Sequence, residues 1–196
     1  MLRRTIRVLS LAMLAVLSGC ASTPPSQFYT LAAVPVPGAP ASGAVVVVGP
    51  VSVPAAVDRP QIVVTVAPNQ VRLDEFNRWA SPLQDEIAGA VAMDLVAALG
   101  TPNVTTLSAD DVQGAQYRVS IDVQRFECVP GSSAAFDAAW VVRRVKDDSS
   151  ASGRTNVREP VQQDGYGALA AAHSRAVGQL ATEIAAAITS FEAAAK

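Results

Sequence analysis

The sequence predicts one α/β domain, a mixed β-sheet flanked by two main helices. Three observations carry that prediction. Strand-like stretches fall into two groups, each followed by one long segment of helical periodicity, so the order is strands, helix, strands, helix. The first helical segment opens on Ser81-Pro82-Leu83-Gln84 and stops at Gly100 before Pro102, which is helix-boundary chemistry. Between the helices, Tyr117, Val119, Ile121 and Val123 alternate with Arg118, Ser120, Asp122 and Gln124, the pattern of a half-buried strand.

The N-terminus reads differently from the rest. Arg3, Arg4 and Arg7 precede an apolar stretch from Val8 to Leu17 that is too short to span a bilayer. It ends in Leu17-Ser18-Gly19-Cys20, which looks like a bacterial lipobox. Residues 1–19 are thus expected to be a cleaved lipoprotein signal peptide. Cys20 is expected to start the mature chain and to carry a diacylglycerol on its thiol and a fatty acyl group, such as palmitate, on its amine. At roughly 0.8 kcal/mol per buried CH₂, several chains anchor stably where one would not. Residues 20–27 then read as a lipidated tether, polar and proline-containing, and 28–196 as the folded domain.

Along that domain Phe28 to Leu31 is a brief strand-like patch, and Pro35 to Gly43 is a loop rich in proline and glycine. A β-branched run from Val45 to Val53 is interrupted at Gly49-Pro50, where a bulge or strand end is expected. Ile62 to Val66 and Val71 to Phe76 flank Ala67-Pro68-Asn69-Gln70 as a hairpin. In the first helix Ser81 is placed as N-cap, Pro82 at N1 and Gln84 at N3. Leu83, Ile87, Ala90, Val91, Leu95 and Ala98 form its apolar stripe. Val104 to Leu107 is a short strand, and the strand from Tyr117 needs a bulge near Gln124-Arg125 to bring Phe126 and Cys128 into phase. Ala134 to Val145 is a long strand, Lys146 to Gly153 a turn, and Arg154 to Val161 an edge strand that tolerates Pro160. Asp164-Gly165-Tyr166-Gly167 opens the last helix, with Asp164 as its capping residue and Leu169, Val177, Leu180, Ile184, Ile188 and Phe191 on its buried face.

Composition and motifs narrow the function by exclusion. The chain has 15 basic and 17 acidic residues, and loss of the three leader arginines takes the mature charge from −2 to about −5, which argues against nucleic acid. With Cys20 acylated, Cys128 has no partner for a disulfide and is expected to be buried and inert. His173, the single histidine, is expected to be a partly exposed helical residue, with no Cys or His partner at metal-ligand spacing. Asp110-Asp111 and Asp147-Asp148 read as solvated loop charge. No nucleophile, base and orienting group are spaced for catalysis, so no enzyme activity, cofactor or metal is expected.

Several short motifs then form one pattern. After the lipobox come Tyr29-Thr-Leu31, Val48-Gly-Pro-Val51, Asp58-Arg-Pro-Gln-Ile62 and Asn77-Arg-Trp-Ala-Ser-Pro-Leu83. Tyr117 to Phe126 follows as the long strand, and Gln163-Asp-Gly-Tyr166 opens the last helix. Together they resemble the ABC-type transport auxiliary lipoprotein family across the mature chain, although Ser81 stands where relatives often carry an acid. The resemblance implies an outer-membrane lipoprotein facing the periplasm, with Ala21 after the acylated Cys suiting that destination. It also implies a partner, an MCE-domain protein that bridges the periplasm, and lipid or another hydrophobic molecule as the traffic. A ring-shaped homo-oligomer is among the assemblies it allows. Three roles stay open: an adaptor that docks the MCE assembly, a lipid carrier with its own apolar pocket, or a subunit of another envelope-assembly machine. Few aromatics and many alanines favour tight packing over a roomy pocket, hence the adaptor. Trp79 is expected either to staple the helix entry or to anchor a partner, and Tyr166 either to bury its ring against the sheet or to present it to a neighbouring subunit.

Overall fold

The computed structural model describes residues 24–34, 42–106 and 114–194. Cys20, the leader, most of the Pro35–Gly43 loop, Leu107 and the Asp110-Asp111 pair lie outside them. The described residues form eight strands and two helices. In chain order these are β1 (Gln27–Tyr29), β2 (Val46–Ser52), β3 (Gln61–Ala67), β4 (Gln70–Trp79), α1 (Leu83–Leu99), β5 (Val104–Thr106), β6 (Tyr117–Val129), β7 (Ser133–Arg144), β8 (Ser150–Pro160) and α2 (Tyr166–Ala193).

The long strand β6 organises one mixed sheet. β7 runs antiparallel along all of it, and β8 runs antiparallel to β7 at an edge, where the missing amide of Pro160 is tolerated. The other side of β6 is shared by two strands. Its first half pairs in parallel with β2, from Val46 opposite Tyr117 to Ser52 opposite Asp122, while Cys128 near its end lies opposite Val64 of β3. β5 extends the β2 branch in parallel, and β4 and β1 extend the β3 branch. Register shifts fall between Val48 and Val51, where the sequence predicts a bulge or strand end, and between Val123 and Arg125, where it predicts a bulge; two more fall between β3 and β4, at Gln61/Val63 and Thr65/Ala67.

Both helices lie on one face. α1 packs on β2 and β5, α2 on β7, β8 and β6, and the two helices pack on each other. Phe136, Ala138, Trp140 and Val142 of β7 face this layer, opposite Phe126, Val123, Ile121 and Val119 of β6, and all are buried. From α1, Leu83, Ile87, Ala90, Val91 and Leu95 enter the same core, so the predicted stripe is the buried one, with Ala98 partly buried at its end. Gly100 ends the helix in the left-handed conformation, φ 60°.

Four expectations need correction. Ser81 is not the cap of α1: Pro82 occupies that position, and its carbonyl takes the Asp85 and Glu86 amides at 2.9 and 3.1 Å. The Ser81 hydroxyl donates instead to Glu86, a buried carboxylate that also collects the Ser81 and Leu31 amides. The need of Glu86 for donors outweighs the capping preference of serine. Asp164 is also not a cap, because Gly165 holds that position with φ 96°, a conformation suited to glycine, and no side chain bonds the first turn of α2. His173 is fully buried rather than partly exposed. The turn after β7 is shorter than expected, since the Arg144 amide donates to the Ser149 carbonyl at 2.8 Å and β8 starts at Ser150.

Candidate functional site

The motifs singled out in the sequence converge at one corner of the sheet. The edge strand β1 lies parallel to the end of β4, with Phe28 opposite Arg78 and Tyr29 opposite Trp79. The Ala80 amide donates to the Tyr29 carbonyl at 2.9 Å, and the Trp79 amide donates to the Pro60 carbonyl at 2.8 Å. Three chain segments distant in sequence therefore meet over a few residues. Between them lies a groove of about 360 Å³, lined by Phe28, Asp58 to Pro60 and Arg78 to Pro82. Two guanidinium groups and one carboxylate edge it, and Arg59 Nε is buried without a hydrogen-bond partner.

Trp79 forms the inner wall of this corner. It is buried and meets the Phe126 ring edge-on, with centroids 5.8 Å apart. Phe126 stacks flat on the His173 ring at 3.7 Å, and His173 Nε2 lies 3.2 Å from Cys128 Sγ. Burial pushes the His173 pKa down to about 3. Burial, helped by the Glu127 charge, pushes Cys128 up to about 12. At neutral pH the imidazole is uncharged and the thiol is protonated, so this pair is core rather than base and nucleophile. No group of three or more His, Cys, Asp or Glu is placed to hold a metal among the described residues. Arginines above an apolar floor give the groove the chemistry to receive a surface or a segment.

Tyr166 sits on the helix side of the same corner. Its hydroxyl donates to Asp74 at 2.6 Å, and its ring lies 6.1 Å from that of Tyr29, whose hydroxyl donates to Asn77 at 2.8 Å. Asp74 also accepts both the backbone and side-chain N–H groups of Asn77 and the Phe76 amide. Burial alone would raise the Asp74 pKa, but these donors outweigh it and bring it down to about 2. The structure thus brings Trp79 and Tyr166 to the helix side of one strand end, with Tyr29 paired to the first and its ring beside the second. Trp79 is buried and Tyr166 half-buried. Asp164 is exposed at the start of α2, outside the groove.

One feature the residue patterns did not single out lies beside this corner. Residues 31–34 cross the helix layer as a strap, and side chains hold three of its amides. Leu31 donates to Glu86 at 2.9 Å, Ala32 to Ser174 Oγ at 3.0 Å and Val34 to Asp94 at 2.7 Å. The available signal was the presence of Glu86 and Asp94 on an otherwise apolar helix face.

A model of the ABC-type transport auxiliary lipoprotein component family matches residues 29–185. No curated protein matches the chain in sequence. Among solved structures, an uncharacterized protein superposes with a TM-score of 0.68 at 18% identity, over 84% of this chain and 99% of that one. A Xanthomonas campestris protein of the DUF330 family superposes with a TM-score of 0.66 at 23% identity, over 87% and 100%. Both show the same fold. A PelC dodecamer from Paraburkholderia phytofirmans reaches a TM-score of 0.40 at 18% identity, over 73% and 91%, too distant to bear on assembly here.

Proposed function

Because the chain belongs to the ABC-type transport auxiliary lipoprotein family, we propose that it is a PqiC-like subunit docking an MCE-domain protein at the outer membrane. Acylated Cys20 holds it on the periplasmic leaflet, and the assembled system moves lipid between membranes and maintains membrane integrity. The observation that carries this reading is the corner where Tyr29, Asp58-Arg59-Pro60 and Arg78 to Pro82 converge. Family motifs distant in sequence form one surface there, and no reactive pair accompanies them. A docking subunit needs such a surface and nothing more reactive.

The carrier reading requires an enclosed apolar cavity able to cover a lipid. The clefts at the groove and at two other surface sites open to solvent, and the interior between sheet and helices is filled by Phe136, Ile62, Leu180 and Ile184. That supports the adaptor. The full acylated protein, purified from membranes, should bring an MCE-domain protein with it and hold no stoichiometric lipid beyond its own acyl groups. One extractable lipid per chain and no such partner would favour the carrier. Mass spectrometry of the N-terminal peptide should find Cys20 acylated, and Cys20→Ala should abolish both the modification and outer-membrane fractionation without altering the fold. An unmodified Cys20 would end the lipoprotein reading.

A further inference from the structure

The β1–β4–β3 corner continues from the groove, through Phe28 and Arg78, onto the sheet face away from the helices. Val64 pairs with Cys128, which contacts His173 of α2, so Val64 points toward the helices. Strand alternation then turns Gln61, Val63 and Thr65 the other way. Their partners follow them: Arg78 opposite Gln61, Leu73 opposite Val63 and Val71 opposite Thr65. Phe28, opposite Arg78, joins the same face. The strip therefore contains Phe28, 63% exposed, Val71, 58% exposed, and Leu73, 38% exposed. Farther across the same face, β6 presents Arg118, Asp122, Arg125 and Glu127, so the large exposed apolar side chains of this face concentrate at this corner, Val141 and Val145 excepted.

We propose that this strip is the face the protein lays on a phospholipid surface, with Phe28, Leu73 and Val71 in the headgroup–acyl boundary and Arg78 toward headgroup phosphates. The inference rests on the lipoprotein reading of Cys20 for one of its supports. Seven residue steps separate Cys20 from Gln27, a reach of roughly 25 Å when fully extended. Phe28 follows directly, so the exposed aromatic is the large apolar side chain nearest the anchor in sequence. An anchor on so short a leash holds this corner of the domain close to the bilayer. Exposed apolar groups beside arginines are what an interface of acyl chain and phosphate accommodates. Asp58 and Glu75 lie at the same corner, Glu75 Oε2 being 3.9 Å from Arg78, so apolar insertion rather than net charge is the main attraction.

The test uses the full mature protein reconstituted in phosphatidylethanolamine–phosphatidylglycerol vesicles with brominated acyl chains. Phe28→Trp and Leu73→Trp add a reporter on the proposed face, and Met93→Trp adds one on α1, where Met93 is exposed on the helix layer. The native Trp79 and Trp140 are both buried and set the background. Bromine should quench the added emission at positions 28 and 73 and leave that at 93 unquenched. Absence of quenching at 28 and 73, or equal quenching at all three positions, overturns the proposal. The mass of the N-terminal peptide, taken on the same samples, separates the two readings. Acylated Cys20 without quenching leaves the lipoprotein reading standing and removes this one. Unmodified Cys20 removes the lipoprotein reading, and quenching at 28 and 73 by added vesicles would still support this face.

Discussion

Asp94 is fully buried on the side of α1 turned to α2, where its Oδ2 lies near Gly178. Oδ1 accepts the Val34 amide, while Oδ2 has no hydrogen-bond partner. Burial raises its pKa from 3.8 to about 6, against the opposing pull of the Val34 bond. Between pH about 4 and 6 the folded protein therefore keeps a proton that the unfolded chain has released. The contribution of this group to stability is greatest below about pH 4 and is lost as pH rises to about 6. Asp94→Asn keeps an acceptor for Val34 and removes the titration. In urea melts the variant should exceed the parent above pH 6, with the difference shrinking as pH falls toward 4. A constant difference would show that Asp94 does not titrate in that window. Trp79 and Asp164 give the contrasting pair. Trp79→Ala empties the space against Phe126 and should cost about 3–5 kcal/mol. Asp164→Ala removes an exposed side chain that caps nothing and should change stability by no more than about 0.5 kcal/mol. Residue type placed Asp164 at a helix start but could not show that Gly165 would take the capping position.

At the scale of the element, β7 and β8 show how a pairing determines a residue. Trp140 lies opposite Gly153, and a Cβ there would come within 2.3 Å of the indole. The ring is fixed from the other side, since Nε1 donates to Glu183 of α2 at 3.2 Å and Thr155 donates to the same oxygen at 2.6 Å. Gly153→Ala must displace the indole and should cost roughly 1–3 kcal/mol. Calorimetry would measure the loss, and near-UV circular dichroism should change with it. Unaltered melting would mean that the ring shifts at no cost. The sequence placed Gly153 in a turn because glycine beside serines and charges is turn chemistry, and its cross-strand partner is invisible until the strands pair. Two of the register shifts were legible, by contrast, because Gly49-Pro50 and the phase slip near Gln124 are local signals, whereas those between β3 and β4 carry none. The alternation of β6 was legible for the same reason.

At the scale of the molecule, strand and helix order was readable from periodicity, but the branching of the sheet was not. Nothing local announces that β2 and β3 share one side of β6, because that depends on β6 being 13 residues long while β2 and β3 have seven each. The strap was hidden for a related reason: its hydrogen bonds join residues up to 142 positions apart. If it is integral to the fold, the Leu31, Ala32 and Val34 amides should exchange with solvent as slowly as those of the helix interiors. Ser174→Ala should release Ala32 selectively, and fast exchange at all three amides in the parent would show the strap to be peripheral. The placement of this strap also has a mechanical consequence. A pull entering at residue 24 runs first along β1, whose parallel bonds to β4 are loaded in shear, and then into three amides held by α1 and α2. Tension from the N-terminal side is thus divided between the sheet and both helices, and the two layers resist it together.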